Sequence, residues 1–327
     1  MSIAPGGPRS LELREVPDPV PGPGEVRIAV RACAINFPDT LVIEDKYQFK
    51  PPRPFAPGME VAGVVEALGA GVEAPALGSR VIAHALVGGL AEKLIARAAH
   101  CVPMPDAMTF EVGASLLVTY GTSIHALQDR GRLRAGETLL VLGAAGGVGL
   151  AAVELGKAAG ARVIAAASSE AKAAVARAHG ADATLVYPST VTDPRALAAA
   201  FKDACGPSGA DVIYDPVGGP YAEPALRAIA WEGRYLVVGF PAGIPQPPLN
   251  LALLKGCDIC GVFWGSFVER NPARHREHVK NLLQMCLEGR IRPEISARYP
   301  LERGGEALEA LAGRHATGKV VVTIGED

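Results

Sequence analysis

The sequence predicts an α/β protein in which a doubly wound parallel sheet is joined to a second, β-rich domain. Up to about residue 120 the chain is rich in proline, glycine and valine, and short β-type runs recur between turn clusters. After Tyr120, apolar strands alternate with alanine-rich helical stretches, which indicates a parallel sheet with right-handed crossover connections. The chain of 327 residues is longer than one core usually holds, so two domains are expected.

The β-rich part is predicted from both ends of the chain. Early strands are expected at residues 25–30, 61–68, 80–85 and 91–95. After about Gly261 the pattern predicts helices at 271–288 and 305–312 and a last strand at 319–324. This tail is too short for its own core. We therefore expect a β-rich domain of residues 1–120 plus 262–327, with a dinucleotide-binding domain at 121–261 between them.

The middle of the chain has the alternation of a parallel sheet. Strands are expected at residues 139–142, 162–166, 184–186, 211–214 and 235–238. Helices are expected at residues 147–160, 170–180, 194–204 and 222–230. Residues 262–264 have a strand-like composition, so Cys257 and Cys260 are interpreted as two buried strand cysteines rather than a redox or zinc pair.

Composition excludes several classes of function. The formal net charge is −2 and no basic block occurs, which argues against a nucleic-acid or anionic-membrane partner. No apolar run is long enough to span a bilayer. The six cysteines are scattered and the first residues lack a signal-peptide core. We expect a cytoplasmic protein.

A glycine-rich turn between a predicted strand and helix carries the first functional prediction. The motif follows the dinucleotide fingerprint with alanine at its first glycine position, and its residues are Ala144, Ala145, Gly146, Gly147, Val148 and Gly149. Gly146 would let the backbone approach a pyrophosphate and Gly149 would let the helix pack closely. The helix N-terminus favours the negative charge. The turn therefore predicts a Rossmann-type dinucleotide site.

The end of the next strand indicates which dinucleotide is bound. NAD-binding versions place an acidic residue about 20 positions on, where this chain has Ala167. Ser168, Ser169 and Lys172 suit a 2′-phosphate, and Tyr187 could add a hydroxyl. In the alternative interpretation, Ser168 and Ser169 cap a helix, Lys172 is solvated, and the neighbouring glutamate opposes a phosphate. We favour NADPH over NADH.

The order of these parts resembles the medium-chain dehydrogenase/reductase superfamily over almost the whole chain. The matching motifs are Gly58-Met59-Glu60-Val61-Ala62-Gly63-Val64-Val65, residues 143–149, Asp215-Pro216-Val217-Gly218-Gly219 and Gly318-Lys319-Val320-Val321. The chain is most similar to the zinc-free quinone oxidoreductase branch. The resemblance implies that the β-rich domain is a GroES-like catalytic domain and that the interdomain cleft binds cofactor and substrate.

Departures from the zinc alcohol dehydrogenases argue against a metal. Those enzymes have zinc ligands where this chain has Asn36, Met59 and, by alignment, Val118, which cannot hold Zn²⁺ stably. The cysteine lobe for structural zinc is also missing, and His275 and His278 are expected on a solvated helix face. We predict no metal site.

The resemblance also assigns residues to hydride transfer. It places Asn36 beside the nicotinamide and substrate, whereas the alternative for this residue is a loop cap. It makes Tyr47 a hydrogen-bond or proton donor, whereas the alternative for Tyr47 is a half-buried aromatic side chain. Some members of the family have a further tyrosine at the position of Leu41 in this chain, so the quinone pocket can differ from theirs. Asp39 is expected to fix the loop. The further cofactor contacts that the resemblance implies are Thr122, Val217, Gly239, Phe240, Val262, Phe263 and Lys319. For Thr122, at the start of the linking helix, the alternative is a helix cap; for Lys319 it is a surface lysine.

The sequence thus predicts NADPH-dependent, zinc-independent reduction of quinones or α,β-unsaturated carbonyls. An enoyl-thioester reductase of the same superfamily is the alternative enzyme. An alternative of another class is a non-catalytic NADPH sensor or RNA-binding protein, which the near-neutral charge disfavours. A homodimer paired through the edge near Gly261–Gly265 is implied by family likeness alone.

Overall fold

The computed structural model describes residues 1–313 and 316–325, which form two compact units. Unit 1 comprises Met1–Val118 and Pro293–Asp327, and unit 2 comprises Thr119–Arg292. The predicted boundary at residue 262 is therefore wrong by about thirty residues. Residues 262–292 stay with unit 2 because their helices pack there, with the Trp264 indole against Gly121 and Arg274 bonded to Asp129.

The strands and helices follow the chain in a regular order. The strands are β1 (Glu25–Ile35), β2 (Glu60–Leu68), β3 (Arg80–His84), β4 (Lys93–Arg97), β5 (Cys101–Pro103), β6 (Thr138–Val141), β7 (Arg162–Ala167), β8 (Ala183–Val186), β9 (Ala210–Asp215), β10 (Ile229–Val237), β11 (Asp258–Gly261), β12 (Ile295–Pro300) and β13 (Lys319–Thr323). The helices are α1 (Phe37–Ile43), α2 (Phe110–Ala114), α3 (Leu117–Ile124), α4 (Gly147–Ala158), α5 (Glu170–Ala178), α6 (Pro194–Cys205), α7 (Ala222–Arg227), α8 (Asn250–Lys255), α9 (Trp264–Arg270), α10 (Pro272–Leu287) and α11 (Gly304–Ala312). A π-helical segment, His125–Arg130, continues α3.

Unit 1 is built on one sheet that both parts of the chain share. Its order is β12-β13-β1-β2-β3-β5, with β4 also pairing with β1. Alternate residues of β1 (Val26, Ile28 and Val30) enter the core, as the period of a half-buried strand requires. Strand β13 pairs antiparallel with β1, where Val320 lies opposite Ile35. The final strand thus returns to the sheet that the first residues begin.

Unit 2 contains the predicted parallel sheet, in the order β11-β10-β9-β6-β7-β8. The prediction of a doubly wound α/β domain is confirmed. The buried Glu154 carboxylate of α4 connects its parts: it accepts from the Tyr120 hydroxyl at 2.7 Å and the Arg292 N–H at 3.0 Å, and it bonds His179 Nδ1 at 2.7 Å. Among the described helices, none is long and apolar enough to cross a membrane.

Several local predictions in unit 2 were wrong. The helix predicted to residue 230 ends at Arg227, because the chain re-enters the sheet at Ile229. Residues 262–264 are not a strand: β11 ends at Gly261 and Trp264 begins α9, since a short apolar run fits either element. Cys257 is buried just before β11, while Cys260 on this edge strand is only partly buried.

Helix α10 corrects the expectation that its two histidines face solvent. His275, His278, Val279 and Leu282 share the spacing of one helix face, and His278 is fully buried. Its Nε2 lies 3.4 Å from Asp129 Oδ2, and its ring is 5.6 Å from that of Phe267. This face therefore belongs to the interior of unit 2, where burial lowers the pKa of His278.

Candidate active site

The glycine-rich turn has the geometry that a dinucleotide pyrophosphate requires. Strand β6 leads into Gly143, whose φ is 57°, and Gly146 precedes the first residue of α4. A Cβ on Gly149 would lie 2.2 Å from the Gly143 carbonyl oxygen, so glycine is required where the helix crosses the turn. The first N–H groups of a helix lack intrahelical acceptors, and here they follow a short, tightly packed loop.

The residues predicted to choose between NADPH and NADH follow β7 and β8. Ala167 is buried at the end of β7, and Ser168 is exposed beside it. Ser169 Oγ accepts the Lys172 N–H at 3.3 Å, so the helix-cap alternative holds for Ser169. Tyr187 is buried, and its ring centroid is 4.8 Å from that of Tyr221. These residues lie at the carboxyl edge of the parallel sheet, where α/β domains bind ligands.

A buried carboxylate holds the loops after β9 and β10. Asp215 Oδ1 accepts the Val217 and Gly218 N–H groups at 2.8 Å each, and Oδ2 accepts the Tyr235 hydroxyl. The Gly219 N–H donates to the Gly243 carbonyl at 2.7 Å, which joins the two loops. Burial, and then the Asp215 charge, raise the pKa of Tyr235 well above its usual value. The hydroxyl therefore stays a donor.

The other predicted cofactor contacts of unit 2 lie on these loops, in helix α3 and in the segment that leads into α9. Phe240 and Phe263 are 43% and 56% exposed, so both rings are accessible to a ligand; Gly239 and Val262 adjoin them. Thr122 does not begin the linking helix and does not cap it, because α3 starts at Leu117. Gly121 lies inside α3 and makes room for the Trp264 indole, which would be 2.8 Å from a Cβ there.

In unit 1, Asn36 lies at the junction of β1 and α1 within a buried polar cluster. Its Oδ1 accepts from Lys319 Nζ at 2.6 Å, and its Nδ2 donates to Glu60 Oε2 at 3.1 Å and to the Ala34 carbonyl at 3.2 Å. Lys319 also donates to Glu60 Oε2 at 3.2 Å, and Glu60 Oε1 accepts the Val118 N–H at 2.9 Å. Lys319 is only 3% exposed, so the surface-lysine alternative is wrong.

Asp39 fixes the turn that carries Asn36. It is 1% exposed and accepts the N–H of Asn36 at 2.8 Å and the N–H of Gly58 at 3.2 Å. Burial raises the pKa of the Asp39 carboxyl to about 7, against the opposing effect of these hydrogen bonds and of Lys319. Its contacts agree with the expected structural role.

Among the predicted site residues of unit 1, Tyr47 has a hydroxyl that is available to a ligand. Its ring packs against Val42, Ile43 and Phe55 and is half-buried. Burial, and then the nearby Asp39 carboxylate, raise the pKa of Tyr47. Within residues 1–313 and 316–325 its hydroxyl makes no hydrogen bond. A protonated hydroxyl of this kind can donate to a ligand oxygen.

The unit 1 cluster does not fit zinc. Asn36 and Met59 occupy the places where the resembling zinc enzymes have ligands, and the Lys319 ammonium beside Asn36 Oδ1 would repel a divalent cation. Within the described residues, no group of three histidine, cysteine or acidic side chains could hold a metal ion. Sequence reasoning missed Glu60 and the Asp215–Tyr235 pair, although both carboxylates stand in the motifs that revealed the resemblance.

Comparison with known proteins agrees with this architecture. Residues 22–106 match the alcohol dehydrogenase GroES-like domain, and residues 147–286 match the zinc-binding dehydrogenase family. Quinone oxidoreductase-like protein 2 of Rattus norvegicus is 39% identical over 96% of this chain and 89% of its own length. The quinone oxidoreductase of Thermus thermophilus, solved also with NADPH, is 35% identical over 98% of each chain, with a TM-score of 0.84.

A third relative extends the comparison. The Escherichia coli quinone oxidoreductase, solved in complex with NADPH, is 26% identical over 97% of each chain, with a TM-score of 0.90. The chain therefore belongs to the medium-chain dehydrogenase/reductase superfamily and has quinone oxidoreductase-like relatives. Its oxidoreductase class and the GroES-like character of unit 1 are thereby confirmed.

We expect Asp39 to make stability fall as the pH rises. The folded-state pKa of about 7 exceeds the ordinary value of 3.8, so between these limits the unfolded chain loses its proton while the folded chain keeps it. This contribution is complete below pH 3.8 and is lost as the pH rises through about 7. Asp39→Asn should remove this contribution, so that urea-unfolding midpoints fall less steeply between about pH 4 and pH 8 than they do in the wild type. Asp18→Asn is the control, because the hydrogen bond from Lys93 lowers the pKa of Asp18, so this carboxyl titrates below the measured pH range and its removal should leave the slope unchanged. An Asp39→Asn variant with the same pH slope as the wild type contradicts the assignment.

Tyr235→Phe should weaken NADPH binding by loosening the loops that Asp215 holds. If the missing bond costs about 1.4 kcal/mol of binding free energy, the NADPH dissociation constant measured by fluorescence titration rises about tenfold. Tyr120→Phe is the control, because it also removes a hydroxyl donor to a buried carboxylate, but at Glu154 instead of the loops. Equal NADPH affinity in wild type and Tyr235→Phe would refute the role of this bond.

Proposed function

We propose that this protein is a cytoplasmic, zinc-independent enzyme that uses NADPH to reduce quinones or α,β-unsaturated carbonyls. The observation that carries the proposal is the Lys319 ammonium, 2.6 Å from Asn36 Oδ1, at the place where zinc-dependent relatives hold their metal. Alcohol oxidation by those enzymes relies on a Lewis acid. Conjugated acceptors need only hydrogen-bond donors as charge develops on their oxygen.

NADPH is supported by the residues after β7 and by the solved relatives. No carboxylate stands at the end of that strand to accept bonds from a ribose diol, since the residue is Ala167. Ser168 and Lys172 supply a hydroxyl and an ammonium for a 2′-phosphate. The Thermus thermophilus and Escherichia coli quinone oxidoreductases are both described with NADPH.

The chemistry divides between the two units. Bound NADPH supplies a hydride to the conjugated carbon of the acceptor. The Asp215-held loops, with Gly239 and Phe240, bind the cofactor, and the first turn of α4 holds its pyrophosphate. Tyr47 donates a hydrogen bond or proton to the acceptor oxygen, because its raised pKa keeps the hydroxyl protonated at neutral pH.

The proposal includes a homodimer formed through unit 2. Strand β11 is the edge of the parallel sheet, and large apolar side chains are exposed beside it: Trp231 (69%), Leu253 (81%), Leu254 (64%) and Ile259 (40%). An open strand edge flanked by an apolar face is self-complementary, so a second copy can extend the sheet. The six cysteines are free thiols, which suits a reducing compartment.

Acceptor assays test the activity. We expect NADPH oxidation with 1,4-benzoquinone or a simple enone, about tenfold slower oxidation of NADH, and no loss of activity after dialysis against a zinc chelator.

Tyr47→Phe should lower kcat about 100-fold, as loss of a proton donor does, whereas Tyr299→Phe should not. No turnover with either acceptor class, or activity restored only by zinc, contradicts the proposal. Turnover confined to an enoyl thioester would favour the alternative enzyme.

Light scattering tests the dimer. Ile259→Lys places a charge on the exposed edge and should give a monomer, while Leu13→Lys, which charges an apolar side chain that is 67% exposed in unit 1, should stay dimeric. A wild-type monomer at micromolar concentration, or a dimer that survives Ile259→Lys, argues against this interface.

A further inference from the structure

Unit 1 contains a cleft of about 550 Å³ that the proposed function does not use. Its walls include Arg31 of β1, Arg80 of β3 and residues 106–111, which lead into α2, together with Gly325 after β13. None of the described residues that line the cleft belongs to the polar cluster around Asn36. Sites for small molecules usually have volumes of about 300–1,000 Å³. The cleft is therefore large enough to hold a ligand of its own.

Arg31 reaches this cleft from an irregularity in its strand. The register between β1 and β2 shifts between Val30 and Ala32, which leaves Arg31 without a partner in β2. Such a bulge changes the direction of one side chain and is common beside functional sites. A Cβ on Gly325 would lie 2.7 Å from Arg31 Nη1, so the guanidinium lies beside this lining residue. Within the described part of the chain, the guanidinium makes no hydrogen bond and no ion pair. Arg31 therefore brings a full positive charge and five N–H donors to the cleft.

Arg80 holds the loop that forms another part of the wall. Its Nη1 donates to the Asp106 carbonyl at 2.7 Å, and its Nη2 donates to the Met108 carbonyl at 2.5 Å. The same guanidinium lies over the partly exposed ring of Phe110, 4.6 Å from the ring centroid. The loop and the aromatic ring are therefore in place before a ligand binds, which lowers the entropy cost of binding.

The charges around the cleft favour a ligand with one negative charge. The Glu111 carboxylate on the wall accepts from Arg298 through both oxygens, at 2.7 and 3.0 Å. Arg80 Nη1 lies 3.9 Å from the Asp106 carboxylate at the exposed rim. Among the described lining residues, Arg31 is thus the charged side chain without a partner. Its planar fork matches a carboxylate through two parallel hydrogen bonds, whereas a phosphate monoester would bring nearly two charges.

We propose that this cleft binds a small organic carboxylate, with the carboxylate on the Arg31 guanidinium and the apolar part of the ligand against Phe110. The site is formed by unit 1 alone. It is separate from the side chains proposed to act on a quinone or enone, and the inference does not rest on the proposed function.

Methionine methyl signals locate a bound probe. The sequence has five methionines, and Met108→Leu identifies the signal of the residue that lines the cleft. Benzoate is the probe, and benzamide, which has the same ring without the charge, is its control. We expect benzoate to shift the Met108 signal saturably with a dissociation constant of about 1 mM, and benzamide to bind at least about tenfold more weakly. The Met59 signal reports binding beside Glu60 instead. A shift at Met59 without one at Met108, or equal affinity for the two probes, overturns the proposal.

Variants test Arg31 as the group that binds the anion. Arg31→Gln should raise the benzoate dissociation constant at least about tenfold, the effect of losing a charge-assisted pair. Arg31→Lys keeps the charge without the fork, so its affinity should lie between the two. Arg97→Gln is the matched control and should change nothing, because Arg97 is exposed on β4 of the same sheet and also makes no side-chain hydrogen bond within the described residues. Wild-type affinity in Arg31→Gln overturns the proposal, as does inorganic phosphate that binds more tightly than benzoate.

Two acidic residues follow the cleft in the sequence and supply a test of its occupant. Glu326 and Asp327 come directly after Gly325. Replacing both together, Glu326→Gln with Asp327→Asn, should change the benzoate dissociation constant by less than about threefold, because exposed charges are screened by salt. A gain in affinity of about tenfold would mean that carboxylates of this chain compete for Arg31 at a high effective concentration. That result would overturn the assignment of the cleft to a small molecule.

Discussion

The buried pair between Glu60 and Lys319 is the contact on which unit 1 depends. It joins the first residue of β2 to the first residue of β13 at 3.2 Å, with Asn36 bonded to both. Removing two charges from water is expensive, and further hydrogen bonds to the pair are needed to offset that cost. Here the Val118 N–H and the Asn36 amide supply three such bonds.

Unit 2 also contains a buried carboxylate whose charge is stabilised by several hydrogen bonds. Asp215 is buried and receives two backbone N–H groups and a tyrosine hydroxyl, so a loop without regular structure is held by three hydrogen bonds to one carboxylate. Gly218 and Gly219 have positive φ, of 67° and 55°, and a Cβ on Gly219 would lie 2.3 Å from the Ala242 carbonyl oxygen. A carboxylate and two glycines thus shape the edge of the sheet beside the proposed cofactor site.

The sequence predicted the parts that depend on local pattern. The alternation of strands and helices, the turn at Gly143–Gly149 and the absence of suitable zinc ligands at Asn36 and Met59 can all be recognised along the chain. Prediction from the sequence failed where contacts between residues far apart in the chain determine the structure. Nothing local to Lys319 indicates that its ammonium is buried against Asn36, which is 283 positions away. Nor does the composition of residues 262–264, which predicted a strand, indicate that Trp264 begins α9 with its indole packed against Gly121.

Unit 2 is one continuous segment, Thr119–Arg292, inserted between the two segments of unit 1. This order has a consequence for synthesis on the ribosome. Unit 2 can fold as soon as its last residue emerges, whereas the sheet of unit 1 must wait for β13 near the end of the chain. Until then β1 lacks the neighbour that β13 provides, and Glu60 and Asn36 lack their cation. The polar centre of unit 1 therefore forms only after the nucleotide-binding unit has been made.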